Sequence, residues 1–558
     1  MALSGKHAVM QQLLAEGTKY VFGNPGSTEL AFMDGLQDYP ELEYILGLHE
    51  TVPLAMADGY ARATHKPAVV NVHIAPGLAN AMSMIYNARK NLSPLVVTVG
   101  QQDTRFTATE PLLYADLVRF AEPWVKFAAE VHRADDIPML MRRAFKVAAE
   151  PPQGPVVLSF PQDVLDGEVD EPVTPATHTV WTSRPDPEAV ARVARYLAGA
   201  ANPLILCGDG MAASPGSYSE VAALAELAGC PVSQSASRQW NFPTNHPLYV
   251  GPLGFLGGAR DSLAGHDVIV AFGTGNPFMP LFYEGGSPVP DDAVFIQIDT
   301  DAWELAKNYP VTMSILADPG RSARDLIEAL ERVLTPAERT NCRQRAAAIT
   351  QSTVEMRQRV RDQLATEWDK SPISPMRLMA EVRDAVPKDA AFVGSGGTSG
   401  RVPFAQLIEM TRPDSFFEGN ASLGFPLPGT LGVKLALPDR PVIGLLREGD
   451  SMYSIQGLWT AAKYNIPVTY VVFNNASYRI LKQGMVRYLG ASERKSGFLG
   501  MNFGEPAIDL AKQAAVWGIQ SCRIDHPAEI APALKQALDH DGPSLVDVVI
   551  DGSYAHHF

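Results

Sequence analysis

The sequence has few cysteines and no long apolar run. Four cysteines, Cys207, Cys230, Cys342 and Cys522, are scattered over 558 residues, and no two of them form a CxxC pair. Such sparse use argues against a disulfide framework or a structural zinc site and fits a reducing compartment. No run of about 18 apolar residues is present, so we expect no membrane span. The first residues, MALSGKHAVMQQLLAEG, lack the apolar core of a signal peptide, and we therefore expect a cytoplasmic location.

Basic residues are outnumbered as well. The chain has 46 Lys and Arg against 61 Asp and Glu, which gives a formal net charge of −15. This balance lacks the basic footprint of a nucleic-acid-binding protein. We therefore expect no nucleic-acid or membrane partner, although a few basic residues in a cleft could still bind a small anionic substrate.

What the sequence does contain is a repeated alternation of strand and helix patterns. Hydrophobic residues make up 46% of the chain and charged residues 19%, as in ordinary globular proteins. Short apolar runs such as YVFG, AVVNV and LVVTV alternate with amphipathic helical stretches, which predicts parallel sheets with helices on both faces. A stretch rich in proline and acidic residues over 165–186 and a helical linker over 335–375 separate three predicted α/β domains, 1–170, 186–335 and 375–552.

Three polar residues of the first predicted domain follow strand patterns. Ser27 lies in the turn after YVFG, Glu50 follows LEYILGL, and His73 follows AVVNV. Because the carboxyl ends of parallel strands share one edge of the sheet, these side chains could face a common cleft. The apolar neighbours of Glu50 would raise its proton affinity, which suits proton exchange with a ring nitrogen, and a histidine can relay protons near neutral pH. Taken singly, each also fits an ordinary helix cap, helix-terminal glutamate or loop histidine.

A second polar set follows two strand patterns of the third predicted domain. Residues 447–451 read Arg-Glu-Gly-Asp-Ser after VIGLL, and Asn474 and Asn475 end the next run, VTYVVFNN. Carboxylate and amide oxygens at neighbouring strand ends suit Mg²⁺, which takes few protein ligands and completes its shell with phosphate oxygens. An ordinary solvated turn is the alternative interpretation.

Motifs along nearly the whole chain resemble one enzyme superfamily. GNPGS-x-EL, the strand end at Glu50, NVH-x-APG, SPLVVT-x-GQQ, SLGF-x-LPG and YSIQ-x-LWTAA-x-YNIP occur in order. The chain thereby resembles the thiamine-diphosphate-dependent 2-keto-acid decarboxylases and acetolactate synthases, and within them most nearly the benzoylformate decarboxylases. The resemblance implies three doubly wound parallel-sheet domains, which bind the pyrimidine, no cofactor and the diphosphate in turn. It also implies thiamine diphosphate and Mg²⁺ as cofactors, a 2-keto acid as substrate of a decarboxylase or carboligase, and a homodimer or homotetramer.

The resemblance also implies roles for individual residues. Catalytic roles fall to Glu50, His73 and Ser27, and the substrate pocket is formed by Ser27, His73 and Leu481. Cofactor contacts are implied at Glu50, Thr398, Ala421, Leu423, Gly449, Asp450, Ser451 and Tyr478. Metal ligands are implied at Glu448, Asn475 and Ser477.

The metal signature of this family, Gly-Asp-Gly followed later by Asn-Asn, is altered here. Taking Asp450 as the ligand leaves 22 residues (452–473) before Asn474, whereas taking Glu448 leaves 24 (450–473). Only the second register aligns without gaps, so Glu448 takes the ligand position and Arg447 the position of the first glycine. We expect Arg447 to crowd the diphosphate or to pair with Glu448, and so to weaken Mg²⁺ coordination. A literal Gly-Asp-Gly at 208–210 lies in the middle domain and is a decoy.

The substrate side differs as well. The second histidine of benzoylformate decarboxylases is missing, and the corresponding region, 278–283, reads Phe-Met-Pro-Leu-Phe-Tyr. Without that group, capture of the product by a second aldehyde or keto acid becomes an alternative to simple decarboxylation. The competing function class is a homologue that has lost or exchanged thiamine diphosphate and binds another anionic ligand near Arg447.

Overall fold

The computed structural model of the protein describes residues 3–176, 179–235, 238–253, 258–278, 285–419, 421–489 and 498–554. Three six-stranded sheets, all of them parallel, form its framework. This confirms the predicted fold class. The domain limits 1–170, 186–335 and 375–552 stay a prediction. Within the described residues, no helix is both long and apolar enough to cross a membrane.

The first domain forms the sheet β3-β2-β4-β5-β7-β6. Strands β1 and β8 form a separate, short antiparallel pair. In chain order its elements are β1 (Leu3–Ser4), α1 (Gly5–Ala15), β2 (Tyr20–Asn24), α2 (Leu30–Leu36), β3 (Glu43–Leu46), α3 (Thr51–Thr64), β4 (Ala68–Val72), α4 (Ile74–Asn91), β5 (Leu95–Gln101), α5 (Leu117–Ala121), β6 (Phe127–Glu130), α6 (Ile137–Ala149), β7 (Val156–Pro161), α7 (Gln162–Asp166) and β8 (Glu168–Val169). Strands β4, β5 and β7 are buried along their whole length, as continuous apolar runs covered on both faces should be.

The middle domain forms the sheet β11-β10-β9-β12-β13-β14. Its elements are α8 (Pro187–Gly199), β9 (Pro203–Cys207), α9 (Ser217–Ala228), β10 (Val232–Gln234), β11 (Tyr249–Pro252), α10 (Ala259–Leu263), β12 (Val268–Phe272), β13 (Val294–Asp299), β14 (Met313–Leu316) and α11 (Pro319–Val333). The helical linker is the long helix α12 (Pro336–Glu367). Its first turn is fixed because Thr335 and Glu338 cap each other, the hydroxyl accepting from Glu338 N–H and the carboxylate from Thr335 N–H.

The third domain forms the sheet β16-β15-β17-β18-β20-β19. Its elements are α13 (Pro375–Ala385), β15 (Ala391–Val393), α14 (Gly397–Leu407), β16 (Phe416–Phe417), α15 (Pro426–Ala436), β17 (Val442–Leu446), α16 (Glu448–Ser451), α17 (Gly457–Lys463), β18 (Thr469–Asn474), α18 (Arg479–Leu489), α19 (Leu510–Val516), β19 (Gln520–Ile524), α20 (Ile530–Leu538) and β20 (Ser544–Val549). Short 3₁₀ turns lie at Ser27–Glu29, Thr107–Thr109, Glu122–Trp124, Ala134–Asp136, Asp209–Met211 and Pro527–Glu529.

The first and third domains share one hydrophobic core. A single cluster of buried residues includes Phe22 and Val70 from the first sheet and Tyr470 and Leu431 from the third domain. Helices α3 and α15 pack closely against each other in this core, because glycines allow the two helix backbones to approach each other. A Cβ added at Gly59 would lie 2.5 Å from the carbonyl oxygen of Gly429.

A buried arginine connects all three domains. Arg62, on α3, is 5% exposed and donates hydrogen bonds to the carbonyl of Glu418 in the third domain (3.0 Å) and to that of Arg238 in the middle domain (2.7 Å). One turn earlier on α3, Asp58 is buried and accepts hydrogen bonds from the side chains of Asn87 and Asn91. Burial raises the pKa of Asp58, and the nearby positive charge of Arg62 opposes that rise.

Candidate functional site

Each sheet has a topological switch point, where consecutive connections leave in opposite directions. The strand orders β3-β2-β4, β10-β9-β12 and β16-β15-β17 place these points between β2 and β4, between β9 and β12, and between β15 and β17. Ligands of open parallel sheets bind in the crevice that forms there, outside the carboxyl ends of the strands. Ser27 and His73 follow β2 and β4, and Glu448 follows β17, whereas Glu50 and Asn475 follow the neighbouring strands β3 and β18.

Glu50 lies immediately before α3 and is 6% exposed. Each carboxylate oxygen accepts a hydrogen bond from an amide side chain: Oε1 from Asn24 Nδ2 (3.2 Å) and Oε2 from Asn80 Nδ2 (2.9 Å). The apolar neighbours Val52 and Leu54 are buried as expected. The surroundings of the carboxylate are therefore partly polar, and its two amide partners were not anticipated from the sequence.

His73 is half-buried and is held by a second carboxylate. Its Nδ1 lies 2.8 Å from Glu29 Oε2 and 3.1 Å from Thr28 Oγ1. Glu29 is itself 1% exposed and accepts from the backbone N–H groups of Gly26 (2.8 Å) and Gly100 (2.9 Å). No partner for His73 Nε2 is found in the part of the chain that the structure describes. Glu29 thus fixes the ring through Nδ1 and leaves the other nitrogen available.

The structure brings Glu50 and His73 together at α4. A Cβ added at Gly77 would lie 3.1 Å from both Glu50 Oε1 and His73 Cβ, so the missing side chain lets the two groups approach. Ser27 is exposed at the start of the adjacent 3₁₀ turn, and its carbonyl accepts from Gln162 Nε2 (3.0 Å). The sequence did hold one unused signal for Glu29, since a glutamate three residues after a turn residue is the spacing of a capping box.

Glu448 faces the end of the neighbouring strand in the third domain. Its side chain is almost fully buried, and Oε1 accepts from the backbone N–H of Ser477 (3.1 Å). The side-chain oxygen of Asn475 accepts from Ser477 N (3.0 Å) and Ser477 Oγ (3.1 Å). Burial raises the pKa of Glu448 to about 7 although backbone N–H groups stabilise the carboxylate. Glu448, rather than Asp450, therefore lies beside Asn475.

Asp450 makes a different set of contacts. Its Oδ1 accepts from the backbone N–H of Gly424 (2.7 Å), and its Oδ2 from Arg447 Nη2 (2.8 Å). Arg447 therefore forms its ion pair with Asp450, and not with Glu448 as we expected from the sequence. The pairing follows from local geometry, because Arg447 immediately precedes α16 and Asp450 lies in the single turn of that helix. Asp450 also fixes the backbone next to Leu423, whose side chain is 36% exposed.

Arg447 and Arg479 flank the first turn of α14. The stem of Arg447 lies against Gly397, the first residue of that helix, so closely that any side chain at Gly397 would overlap it. The hydroxyl of Ser399, two residues on, accepts from Asn475 Nδ2 (3.0 Å) and from Arg479 Nη1 (3.1 Å). Two guanidinium groups therefore stand beside the N-terminus of an 11-residue helix.

The other predicted contact residues surround this point. Thr398 is the second residue of α14, and Ser451 donates a hydrogen bond to the carbonyl of Arg447 (2.8 Å). The rings of Tyr478 and Phe503 pack edge to face, and both lie against Gly449. Ala421 is partly exposed, and Leu481 on α18 is 48% exposed.

The switch point of the middle domain lies beside a pocket whose lining includes Arg62, Asp209 and Gly210. Gly208 N–H donates to the carbonyl of Phe272 (3.0 Å) and Gly210 N–H to that of Gly273 (2.8 Å), so the two strand ends close on each other. Asp209 accepts from the backbone and side chain of Arg238. The Gly-Asp-Gly of residues 208–210 thus fixes a loop near Arg62.

The residues present fit an anionic diphosphate. Arg479 Nε is buried and has no hydrogen-bond partner among the described residues, and Arg447 is 30% exposed. Positive side chains beside a helix N-terminus attract phosphate groups. The described residues include no cluster of three His, Cys, Asp or Glu side chains that could hold a metal ion. Glu448 and Asn475 therefore suit only a cation that takes further ligands from the diphosphate itself.

The strand that leads to Glu50 contacts the third domain of the same chain. Leu46 is the last residue of β3. Its backbone N–H donates to the hydroxyl of Tyr464 (2.9 Å), and the carbonyl of Leu46 accepts from Thr460 Oγ1 (3.0 Å). Over the described ranges, no hydrogen bond joins the group around Glu50 to the group around Glu448.

Comparisons with known proteins match the whole length of the chain. The thiamine pyrophosphate enzyme family models for the N-terminal TPP binding domain, the central domain and the C-terminal TPP binding domain match residues 3–117, 190–326 and 397–548. The benzoylformate decarboxylase of Pseudomonas aeruginosa is 32% identical over 97% of this chain and 98% of its own length. The acetolactate synthase isozyme 3 large subunit of Escherichia coli is 29% identical over 99% and 95%.

Solved structures agree with these relatives. A thiamine diphosphate-dependent 4-hydroxybenzoylformate decarboxylase from Rhodococcus jostii has a TM-score of 0.84 at 29% identity, covering 99% of this chain and 100% of the other. A benzoylformate decarboxylase from Polynucleobacter necessarius has a TM-score of 0.85 at 28% identity, with 99% of each chain covered. With sequence, domain order and fold in agreement, the chain belongs to the thiamine pyrophosphate enzyme family.

Proposed function

We propose that this protein is a thiamine-diphosphate-dependent enzyme that acts on a 2-keto acid as a decarboxylase or carboligase. The observation that carries the proposal is the setting of Glu50, a buried carboxylate at a strand end, held by Asn24 and Asn80 next to His73. The relatives, benzoylformate decarboxylases and acetolactate synthases, support both halves of this activity. Loss or exchange of the cofactor is not favoured, because the family models for both TPP binding domains match.

Residues from both ends of the chain would hold the cofactor. Glu50 would hold the pyrimidine and Leu423 would support the bend of the molecule, while the diphosphate would contact Thr398, Ala421, Gly449, Asp450, Ser451 and Tyr478. Glu448, Asn475 and Ser477 would contribute ligands to Mg²⁺. When bound, thiamine diphosphate supplies a carbon nucleophile and an electron sink for cleavage of the bond to the carboxylate.

The chain itself supplies proton transfer and substrate positioning. Glu50 would hold or release a proton at a pyrimidine nitrogen, and its two amide donors keep the carboxylate oriented for this exchange. His73 would hold a proton near the reacting carbonyl, with its ring fixed by Glu29. Ser27 would donate its exposed hydroxyl to the substrate carboxylate, and Leu481 would line the pocket.

The fate of the product remains a choice between release and carboligation. The sequence has no histidine over 278–283, where benzoylformate decarboxylases carry their second one. Phe278 packs in the middle-domain core against Phe295 and Tyr309, and residues 279–284 lie outside the described residues. The absence of this acid favours transfer of the product to a second carbonyl compound.

A homodimer or homotetramer is part of the proposal. As the family resemblance implies, the residues around Glu50 of one copy and the residues around Glu448 of another would together form a complete site. We further propose a cytoplasmic location, which fits the sparse, unpaired cysteines.

Replacing Glu50 by glutamine tests the proposed function. The variant should retain bound cofactor but slow proton exchange at its reactive carbon by about 10²- to 10⁴-fold, as expected for loss of a positioned acid–base group. Thiamine diphosphate released from denatured protein gives the cofactor content, and hydrogen–deuterium exchange followed by NMR gives the rate. Glu43→Gln, at the exposed start of β3, the strand that precedes Glu50, is the matched control. Unchanged exchange in Glu50→Gln would remove Glu50 from the mechanism.

A further inference from the structure

The two arginines at the diphosphate end are the least explained feature of the site. Arg447 occupies the position of the first glycine in the family's metal signature. Its guanidinium is oriented by Asp450, to which it donates a hydrogen bond through Nη2. No hydrogen bond to Arg447 Nε or Nη1 is found among the described residues. Arg479 is oriented by Ser399 through Nη1, and its Nε is buried without a partner in the same described set. Both side chains are therefore fixed in place with donors to spare.

Carboxylates lie near both arginines: Asp450, Glu418 and Glu448 near Arg447, and Asp551 near Arg479. Asp450 already accepts hydrogen bonds at both oxygens, and Glu418 accepts one from the hydroxyl of Ser395 (2.5 Å). Among the described residues, the contacts with Asp450 and Ser399 therefore orient the two guanidinium groups without using all of their N–H donors.

The oxygen ligands available to a cation are correspondingly few. Glu448 lies beside Asn475, and its Oε1 already accepts a hydrogen bond from Ser477 N–H. The side-chain oxygen of Asn475 accepts two hydrogen bonds from Ser477. A divalent cation would compete with these bonds, and Mg²⁺ requires near-ideal octahedral geometry.

We propose that Arg447 and Arg479 bind the diphosphate directly and take over part of the charge neutralisation that a divalent cation otherwise provides. The cofactor then binds with only a weak dependence on Mg²⁺. Guanidinium groups suit this task because their planar, always charged forks donate two parallel hydrogen bonds to phosphate oxygens. The inference rests on the proposed function and concerns how this chain holds the cofactor, whatever the substrate.

Calorimetric titration with thiamine diphosphate, in excess Mg²⁺ and in EDTA, tests the proposal. The unmodified protein should bind under both conditions. Arg447→Met keeps a stem against Gly397 but removes the charge, and it should weaken binding in EDTA by about 10- to 100-fold, the range for hydrogen bonds to charged groups. Excess Mg²⁺ should restore most of this loss. Arg383→Met, on the exposed face of α13, should bind like the unmodified protein.

A second variant guards against misfolding, since Arg447→Met leaves the buried Asp450 without its ion pair. Arg479→Met does not touch Asp450 and should show the same loss in EDTA. If the unmodified protein binds only with Mg²⁺, the inference is wrong and the proposed function stands. Tighter binding by Arg447→Met would show that the arginine crowds the diphosphate and would likewise overturn the inference. Absence of binding under both conditions would overturn the proposed function as well.

Discussion

Glu448 occupies a position that is unfavourable for the cofactor-free protein. The residue is 1% exposed, and burial raises its pKa to about 7 from an ordinary value near 4.5. Because the folded-state pKa lies above the unfolded one, ionisation opposes folding. The penalty grows as pH rises from about 4.5 to 7 and is complete above pH 7, where it amounts to roughly 3 kcal/mol at most. If Glu448 binds a cation as proposed, the bound cation would remove this penalty.

Replacing Glu448 by glutamine should therefore stabilise the cofactor-free protein at alkaline pH. We expect the free energy of unfolding to rise by roughly 1–3 kcal/mol at about pH 8 and by less than about 1 kcal/mol at about pH 5. Urea unfolding at the two pH values measures the difference. Glu331→Gln, an exposed residue of α11, should change neither value. Equal stability of Glu448→Gln and the unmodified protein at the higher pH would show that the buried carboxylate is stabilised by its hydrogen bonds.

At the scale of strands and helices, the sequence predicted the sheets well and the contacts between elements poorly. Continuous apolar runs identify buried parallel strands, and the rule for their carboxyl ends placed Glu50 and His73 near each other. Asn80 could not be recognised because it lies on the second turn of α4, and periodicity does not show which carboxylate a helix face meets. The partner of Arg447 was missed for a similar reason, since the sequence did not show that residues 448–451 form a helical turn.

The contact of α3 with α15 was equally invisible in the sequence, and it depends on glycine. A side chain at Gly432 would overlap the carbonyl of Met56. Gly432→Ala should therefore destabilise the protein by about 1–3 kcal/mol, the usual cost of overpacking a close contact. Urea unfolding measures the change. Gly199→Ala is the control, because α8 ends there with open space around the position. If both variants were equally stable, the two backbones could separate without cost.

At the scale of the whole molecule, Arg62 joins the three domains, because it lies in the first domain and donates hydrogen bonds to the other two. Arg62→Met would leave the buried carbonyl of Glu418 without this donor and Asp58 without a nearby cation, while the carbonyl of Arg238 would keep its hydrogen bond from the backbone N–H of Glu418. We expect a loss of about 3 kcal/mol, since each buried acceptor left unpaired costs about 1–3 kcal/mol. Calorimetry should show the middle domain unfolding separately from the other two. Arg332→Met, exposed on α11, should leave a single transition, and a single transition in Arg62→Met would assign the cohesion to other contacts.

The shared core of the first and third domains has a consequence for the connectivity of the chain. The buried residues of that core come from the two ends of the sequence, whereas the middle domain has clusters of its own. Much of α12, the helix that leads from the middle domain to the third, is exposed to solvent. If a protease cut α12, the two fragments would remain associated through the hydrophobic core that the first and third domains share. The first and third domains thus stay associated through their packed side chains, including the close contact of α3 with α15, and not through the peptide bonds of α12.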